Sequence, residues 1–405
     1  MSRIWKFRIA GLLIAVLIVA VVAARYSKDD RVASPSRTTI TLGSSHHPPR
    51  KTTTTVPEAV QRQSDLDELQ AFVEKTRGLK FKTKPVITLL ANTEFDSKVN
   101  ELQHADAQDL TTSEVSLRAL GLMNTDSTLS AQIDELLKGA VLGVYDPKSK
   151  QLYVRAGELT PATKSTIVHE MTHALQDQYF GLDRKLDDDV NEASSAFTAV
   201  VEGEAVFVQH KYEAQLSRQD QRDILREQIS QGQDAYAGAA PFLVDSLTFP
   251  YLDGPNFVEQ IVAKKGIAGM DGVFAKPPIT TEQIIHPEKY LSGELNVAVP
   301  KPAPGPAVLE DGVLGEAFFD EMLTTRISAI SAKRAAAGWG GDSYSAYKMN
   351  DSDCVTARIV MDSPKDEAEM VAALRSWAGA AAGVSLGESN GGIDFTSCTI
   401  VSQNV

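Results

Sequence analysis

Two histidines and a glutamate in the stretch VHEMTHALQDQ, residues 168–178, have the types and the spacing of a catalytic metal site. His169 and His173 are four residues apart, so on a helix both imidazoles project from one face toward a single ion. Glu170 follows the first histidine and can lean over the same ion as a base. The alternative interpretation is that three polar residues lie on one side of an ordinary structural helix. The context of the motif has to distinguish the two.

A catalytic zinc ion takes three protein ligands and keeps a fourth position open. The stretch NEASSAFTAVVEGEAVFVQH, residues 191–210, is a second predicted helix that offers the third ligand. We expect Glu202 to be that ligand and Glu204 to point toward solvent. Small residues around Glu202 permit a close approach between helices: Ser195, Ala199, Gly203 and Ala205. Glu192 is the rival, because NEASS resembles the NExxS pattern of thermolysin-type enzymes. The two carboxylates lie on different helix faces, so only one of them can join the histidines.

The motifs together resemble a known family. HEMTH followed by a helical EGEA is similar to the gluzincin group of zinc metallopeptidases, in which the ligand glutamate comes from a later helix. More closely, GVYDPKSKQLYVR, VHEMTHALQDQYF, VVEGEA, TEQIIHPEKY and AAAGWGGDSY resemble a poorly characterised group of exported bacterial proteins of peptidase type, over about residues 70–350. The resemblance implies a zinc-dependent endopeptidase with one Zn²⁺ per chain, in which Glu170 is the general base.

Peptidases of this kind usually carry an additional donor that stabilises the oxyanion formed from the scissile carbonyl. We predict His286, in TEQIIHPEKY, as the first candidate and Tyr251, in FPYLDG, as the second. The alternative for His286 is a structural hydrogen bond in a loop fixed by Pro287. Asp177, one turn beyond His173, is predicted to be exposed at the end of its helix rather than to orient a histidine.

The elements that position these residues follow from sequence patterns. Two β-prone runs in residues 141–155 are joined by Asp146, Pro147, Lys148 and Ser149, which predicts a β-hairpin. Its exposed edge is expected to pair with an extended substrate backbone beside the metal. A helix is predicted from Pro161 to about Phe180, with Thr160 as its N-cap and Gly181 as its stop signal. The second helix is predicted over residues 189–216.

The predicted fold class is α+β: a zincin-like catalytic domain, residues 64–345, with a mostly helical C-terminal lobe. A small α/β module follows in residues 346–405, where the pattern reads strand, helix, strand. Cys354 and Cys398 are the only cysteines, and a disulfide between them would tie the two strands together. Residues 26–63 are rich in Ser, Thr and Pro and are predicted to be a disordered linker.

Residues 1–25 place basic side chains before an apolar run, which is typical of a membrane-targeting segment. We interpret it as a transmembrane anchor that crosses the cell membrane once, with the N-terminus inside and the catalytic domain outside. A cleaved signal peptide, and therefore secretion, is the alternative. The segment makes the membrane one expected partner.

Charge excludes one class of partner. Residues 1–51 carry a net charge of +7. Because the whole chain carries −13, the remaining residues carry −20. A folded part that acidic does not favour nucleic acid, because binding phosphate requires a basic face.

Two other functions compete with a peptidase that acts on peptide or protein substrates. The first is a noncatalytic surface binding or scaffold protein that keeps the fold, against which stands the intact Glu170. The second is a zinc amidase that acts on cell-wall material.

Overall fold

A computed structural model describes residues 13–16, 58–105, 110–184, 191–232, 236, 238–302, 307–379, 383–389 and 391–399. These residues form a mixed α+β protein with two small sheets, which confirms the predicted fold class at that level. In chain order the helices are α1 Glu58–Arg77, α2 Asn92–Ala105, α3 Thr111–Leu120, α4 Leu129–Ala140, α5 Pro161–Phe180, α6 Asn191–Glu213, α7 Arg218–Gly232, α8 Pro241–Leu252, α9 Gly254–Lys265, α10 Gly269–Ala275, α11 Thr281–Ile285, α12 Pro287–Ser292, α13 Glu316–Thr324, α14 Ala329–Ala336 and α15 Pro364–Ala378.

The first sheet contains the predicted hairpin, β3 (Val141–Asp146) and β4 (Gln151–Arg155), which are antiparallel. β2 (Val86–Leu90) pairs in parallel with β4, and β1 (Leu13–Val16) pairs antiparallel with β3, so the strand order is β1-β3-β4-β2. Asp146 fixes the turn of the hairpin, because its carboxylate accepts hydrogen bonds from the backbone N–H groups of Lys148 and Ser149.

The two helices of the proposed metal site follow the sequence signals closely. α5 begins at Pro161 and ends at Phe180, as predicted. The Thr160 hydroxyl accepts a hydrogen bond from the N–H of Thr163, and Gly181 ends the helix at φ +65°. α6 begins at Asn191 and ends at Glu213, two and three residues inside the predicted limits.

α5 is buried on nearly all sides. Apolar residues such as Val168 and Leu175 pack against Val200 of α6, Leu152 of β4 and Phe257 of α9, all of them fully buried. Burying one side chain of this size stabilises the fold by about 1.5–3 kcal/mol. A polar side chain on a helix placed this deeply is costly wherever it lacks a partner.

The second sheet has the order β5-β6-β7-β9-β8, and each neighbouring pair is antiparallel. Its strands are β5 Val308–Gly312, β6 Trp339–Met349, β7 Ser352–Met361, β8 Val384–Ser389 and β9 Gly392–Cys398. Cys354 of β7 lies opposite Cys398 of β9, and the two form the predicted disulfide. α15 lies between β7 and β8 in the chain and buries Trp377 against Phe395.

The boundary predicted between residues 345 and 346 falls inside β6. The pairing of β6 with β5 and β7 continues across that position, so the C-terminal sheet begins at Val308. Sequence pattern missed this because the Gly and Pro residues before Trp339 interrupt the periodicity of the strands.

The predicted transmembrane helix in residues 1–25 is wrong for the part that the structure describes. Of that segment, only Leu13–Val16 is described, and it forms the strand β1. No helix within the described ranges is long and apolar enough to cross a membrane. The rest of residues 1–57, including most of the predicted linker, lies outside the described residues, and the last six linker positions belong to α1.

A contact between two glycines sets the crossing of α6 and α9. A Cβ added to Gly203 would lie 2.4 Å from the carbonyl carbon of Gly254, and one added to Gly254 would lie 2.2 Å from the carbonyl oxygen of Ala199. Real Cβ atoms do not approach backbone atoms this closely, so only glycine fits at both positions. The close approach that we predicted around Glu202 is therefore present. It places Tyr251, three residues before Gly254, near Glu202, which directly precedes Gly203.

Gly203→Ala is expected to lower the free energy of unfolding by about 1–3 kcal/mol, because the added methyl group must separate the two backbones. Gly272→Ala is the matched control, since Gly272 is also helical and a Cβ there would meet nothing within 4 Å. Denaturant unfolding followed by circular dichroism measures both. Equal stability of the two variants would contradict the role assigned to the glycine contact.

Candidate metal centre

The structure brings His169, His173 and Glu202 together between α5 and α6. The Nε2 atom of His169 lies 3.1 Å, and that of His173 3.2 Å, from the same Oε2 atom of Glu202. Ligand atoms of a tetrahedral zinc site, with bonds of about 2.0–2.2 Å, are about 3.3 Å apart. All three side chains are at most 2% exposed, so they do not form a solvated face of an ordinary helix.

Hydrogen bonds outside the cluster orient the first histidine. The Nδ1 atom of His169 lies 3.0 Å from the Oε1 atom of Gln209. The amide nitrogen of Gln209 donates to Ser165 and to Glu213, which identifies Oε1 as the acceptor oxygen that faces the histidine. His169 therefore donates from Nδ1 and turns an unprotonated Nε2 toward Glu202.

The second histidine is held in the same way by a longer chain of partners. The Nδ1 atom of His173 lies 3.0 Å from the Oε1 atom of Gln176. The amide nitrogen of Gln176 donates to the carbonyl oxygen of Val201 and to Glu204. Glu204 in turn lies 2.7 Å from the Nε atom of Arg77. Such outer partners fix the tautomer of a metal-ligating histidine.

The resulting arrangement suits a cation. Two imidazole lone pairs and an ionised carboxylate oxygen face one another, and within the described residues the Nε2 atom of His173 has no hydrogen-bond partner. Burial opposes ionisation of Glu202, but His173 and His169 outweigh it and hold its pKa at about 2. Burial lowers the pKa of His169 and thus opposes a proton there. Burial acts in the same direction on His173, but the charge of Glu202 and the hydrogen bond to it outweigh burial and raise the pKa of His173. With a metal ion in place of that proton, two neutral imidazoles and one carboxylate are the donor set of catalytic zinc sites, so the residues fit this ion.

Glu192, the rival ligand, is not part of the cluster. It lies ten residues before Glu202, about 15 Å along α6. Its Oε2 atom accepts hydrogen bonds from the backbone N–H and the hydroxyl of Thr281, at 2.7 and 2.8 Å. Burial raises the pKa of Glu192 to about 8, against the opposite effect of these hydrogen bonds. It is therefore largely protonated at neutral pH and serves to connect α6 to α11.

Two carboxylates that we expected to be exposed are buried instead. Glu204 is fully buried in its ion pair with Arg77, because the face of α6 that carries it packs against α1. Asp177 is 6% exposed and accepts hydrogen bonds from the hydroxyl of Tyr145 and the ammonium of Lys150. It attaches the end of α5 to the hairpin and does not orient a histidine.

Glu170 lies where a base for the cluster would be required. Its side chain is fully buried, and its charge contributes to raising the pKa of both His173 and Tyr251. The carboxylate rests on the backbone of β3: a Cβ added to Gly143 would lie 2.7 Å from the Oε1 atom of Glu170. Gly143 is therefore needed for the close contact between the hairpin and the base.

Of the two predicted oxyanion donors, the geometry favours Tyr251 over His286, the reverse of the order inferred from sequence. The Tyr251 ring stacks on the His169 ring with centroids 6.3 Å apart, and its hydroxyl is hydrogen-bonded to Glu202. Burial, and then the charges of Glu202 and Glu170, raise the pKa of Tyr251 well above its ordinary value, so it stays a neutral donor. His286 instead has its Nε2 atom 3.0 Å from Glu316.

The edge of the hairpin that we expected to be free is paired. β1 runs antiparallel along β3, with Ala15 opposite Gly143 and Ile14 opposite Val144. A substrate backbone that pairs with this edge must therefore replace Leu13–Val16.

A second group of acidic residues in the described part of the chain has metal-like spacing: Glu282, Glu294 and Asp362. The ammonium of Lys289 already lies 2.5–2.9 Å from all three carboxylates. This cluster already holds a cation of the protein, with one ammonium among three carboxyl groups.

Sequence reasoning missed the two glutamines that orient the histidines. Both stood at informative positions: Gln176 is three residues after His173, and Gln209 is seven residues, two helical turns, after Glu202. The buried pair of Arg77 and Glu204 had no comparable signal, because 127 residues separate the partners.

Comparison with known proteins gives one match. A family model described as "Domain of unknown function (DUF8575)" matches residues 307–397, which correspond to the C-terminal sheet with α13 to α15 and exclude the histidine cluster. No curated protein and no solved structure matches the chain.

Glu202→Gln is expected to weaken zinc binding by more than about 100-fold, because it removes a ligand, whereas loss of an outer partner alone costs about 10–100-fold. Glu192→Gln is the matched control and is expected to leave the affinity unchanged. Competition with a chromophoric chelator measures both. Loss of zinc in the Glu192 variant alone would assign the third ligand to Glu192.

Gln209→Met is expected to weaken zinc binding by about 10–100-fold, because His169 loses the acceptor that fixes its tautomer. Gln215→Met, the same substitution at an exposed position just beyond α6, is the control. The chelator assay applies again, with circular dichroism to confirm the fold. An affinity equal to that of the control would show that Gln209 does not orient the ligand.

Proposed function

We propose that this chain is an exported zinc-dependent endopeptidase with a zincin-like catalytic domain. The observation that carries the proposal is the convergence of the His169 and His173 Nε2 atoms on one carboxylate oxygen of Glu202. The resemblance of HEMTH and EGEA to the gluzincin peptidases supports the same assignment. One zinc ion per chain would be held by these three side chains.

Zinc at such a site supplies a Lewis acid that makes water acidic near neutral pH and polarises a peptide carbonyl. Glu170 is placed to accept the proton of the attacking water and then to deliver it to the leaving amine. Its position against Gly143 holds the carboxylate beside the hairpin. The atoms balance as a simple hydrolysis: one water is consumed and one C–N bond is broken.

Tyr251 is the donor that we assign to the developing oxyanion. Its hydroxyl is neutral and lies beside a metal ligand, so it can shift its hydrogen bond from Glu202 to the substrate oxygen as negative charge develops there. A donor in a buried site contributes more than one in water, because little solvent has to reorganise.

The disulfide between Cys354 and Cys398 supports an extracytoplasmic location, since such bonds persist in oxidising compartments. The basic residues before the apolar N-terminal run agree with export.

Glu170→Gln is expected to keep zinc and to lose peptidase activity. The substitution leaves all three ligands in place but removes the base, and general-base catalysis contributes about 10²–10⁴-fold to a rate. Mass spectrometry of a peptide library, incubated with wild type or variant at equal zinc content, measures the effect. The control is Glu259→Gln, which removes the same charge from an exposed position of α9.

Undiminished cleavage by the Glu170 variant would refute the assigned base. A wild-type protein that binds zinc but cleaves no peptide would refute the peptidase.

A further inference from the structure

A partly open cavity of about 100 Å³ lies between α6, α8 and α13. α6 contributes Ser195 and Thr198 to its wall, and α8 contributes Phe249 and Pro250. For scale, a cavity of about 150 Å³ in an apolar core holds a benzene molecule. The space therefore suits a single amino-acid side chain.

The cavity and the candidate metal centre share two helices, α6 and α8. Thr198 and Ser195 precede Glu202 by four and seven residues, so they lie on the same face of α6, about 6 and 10 Å from the ligand along the axis. Phe249 and Pro250 directly precede Tyr251, whose ring stacks on His169. An extended peptide that runs along this face from the metal centre reaches the cavity within two or three of its residues.

The wall of the cavity is mostly apolar and also carries acidic groups. Phe249, Leu314 and Phe318 provide apolar surface, while Glu321 and Glu192 provide carboxyl groups. Among the described residues that line the cavity there is no lysine, arginine or histidine. Such a wall disfavours an acidic side chain and matches a long side chain with an apolar stem and a cationic end.

Of the two carboxyl groups, Glu321 is the one suited to pair with a cation. It is 7% exposed, lines the cavity and accepts a hydrogen bond from the hydroxyl of Ser246. Glu192 already accepts two hydrogen bonds from Thr281 with one oxygen, and its raised pKa keeps it mostly neutral.

We propose that this cavity is the side-chain pocket of the peptide-binding cleft and that it takes a lysine or arginine, whose cation pairs with the carboxylate of Glu321. The inference rests on the proposed peptidase function and adds its substrate class: peptides with a basic residue close to the scissile bond. Pairing in this partly buried position is stronger than on an open surface, because less water screens the two charges.

The test measures binding without turnover. The zinc-loaded Glu170→Gln protein, as the full chain, is titrated by calorimetry with blocked alanine peptides that carry one central lysine, norleucine or glutamate. Norleucine has a similar length without the charge, so the lysine-to-norleucine ratio isolates the cation. The pocket predicts a dissociation constant at least about 10-fold lower for the lysine peptide than for the norleucine peptide, a difference that a single partly buried charge pair can supply.

Adding Glu321→Gln is expected to abolish this preference, while adding Glu259→Gln, which removes an exposed charge, is expected to preserve it. Equal binding of the lysine and norleucine peptides, absence of binding by either, or a lysine preference that survives Glu321→Gln would each overturn the proposal. Circular dichroism of the Glu321 variant confirms that it is folded, and Ser246→Ala gives a milder second perturbation of the same carboxylate.

Wild-type turnover of the same peptides separates the two proposals. Lysine-selective binding without cleavage keeps the pocket and refutes the peptidase. Cleavage without selectivity refutes the pocket alone.

Discussion

One carboxylate oxygen of Glu202 faces two imidazole nitrogens, and the rest of the candidate metal centre depends on that arrangement. The three groups are buried, and an ionised carboxylate that faces two unprotonated ring nitrogens is unstable without a positive charge between them. A proton on His173 or a bound divalent cation supplies that charge. The zinc ion that we propose would therefore stabilise the folded state, as a metal does wherever it binds only the native site.

The surrounding structure fixes the three ligands from separate directions. Gln209 and Gln176 fix the histidine tautomers, and the contact between Gly203 and Gly254 sets the distance between the helices. The chain of contacts from His173 ends at the buried ion pair of Glu204 and Arg77. A buried ion pair contributes little net stability, since removing two charges from water offsets most of their attraction. Its value here is orientation, because it holds Gln176 in the only pose that serves His173.

The sequence predicted the limits of α5 and the common face of His169 and His173 well, because both depend on short-range signals. Thr160, Pro161 and Gly181 set the limits of α5 through backbone chemistry within a few residues. The spacing of His169 and His173 is fixed by the helix itself. Long-range packing was not predictable in this way. Glu204 was expected to face solvent, since nothing near it in the chain signals that Arg77 covers it. The domain boundary at residue 345 falls inside β6, because the limits of that strand depend on its pairing with β5 and β7. Sequence periodicity does not show which helix end reaches the cluster. It therefore could not rank Tyr251 above His286 as the oxyanion donor.

X-ray absorption at the zinc edge tests the central claim most directly, because it reports the atoms bound to the ion without requiring turnover or a substrate. The account predicts one zinc ion per chain with two imidazole nitrogens at about 2.0–2.1 Å and oxygen ligands at about 2.0–2.2 Å, and the imidazole signal is expected to drop to one ring in His173→Ala. Zinc coordinated by oxygen alone, or an imidazole count that does not change in that variant, would contradict it.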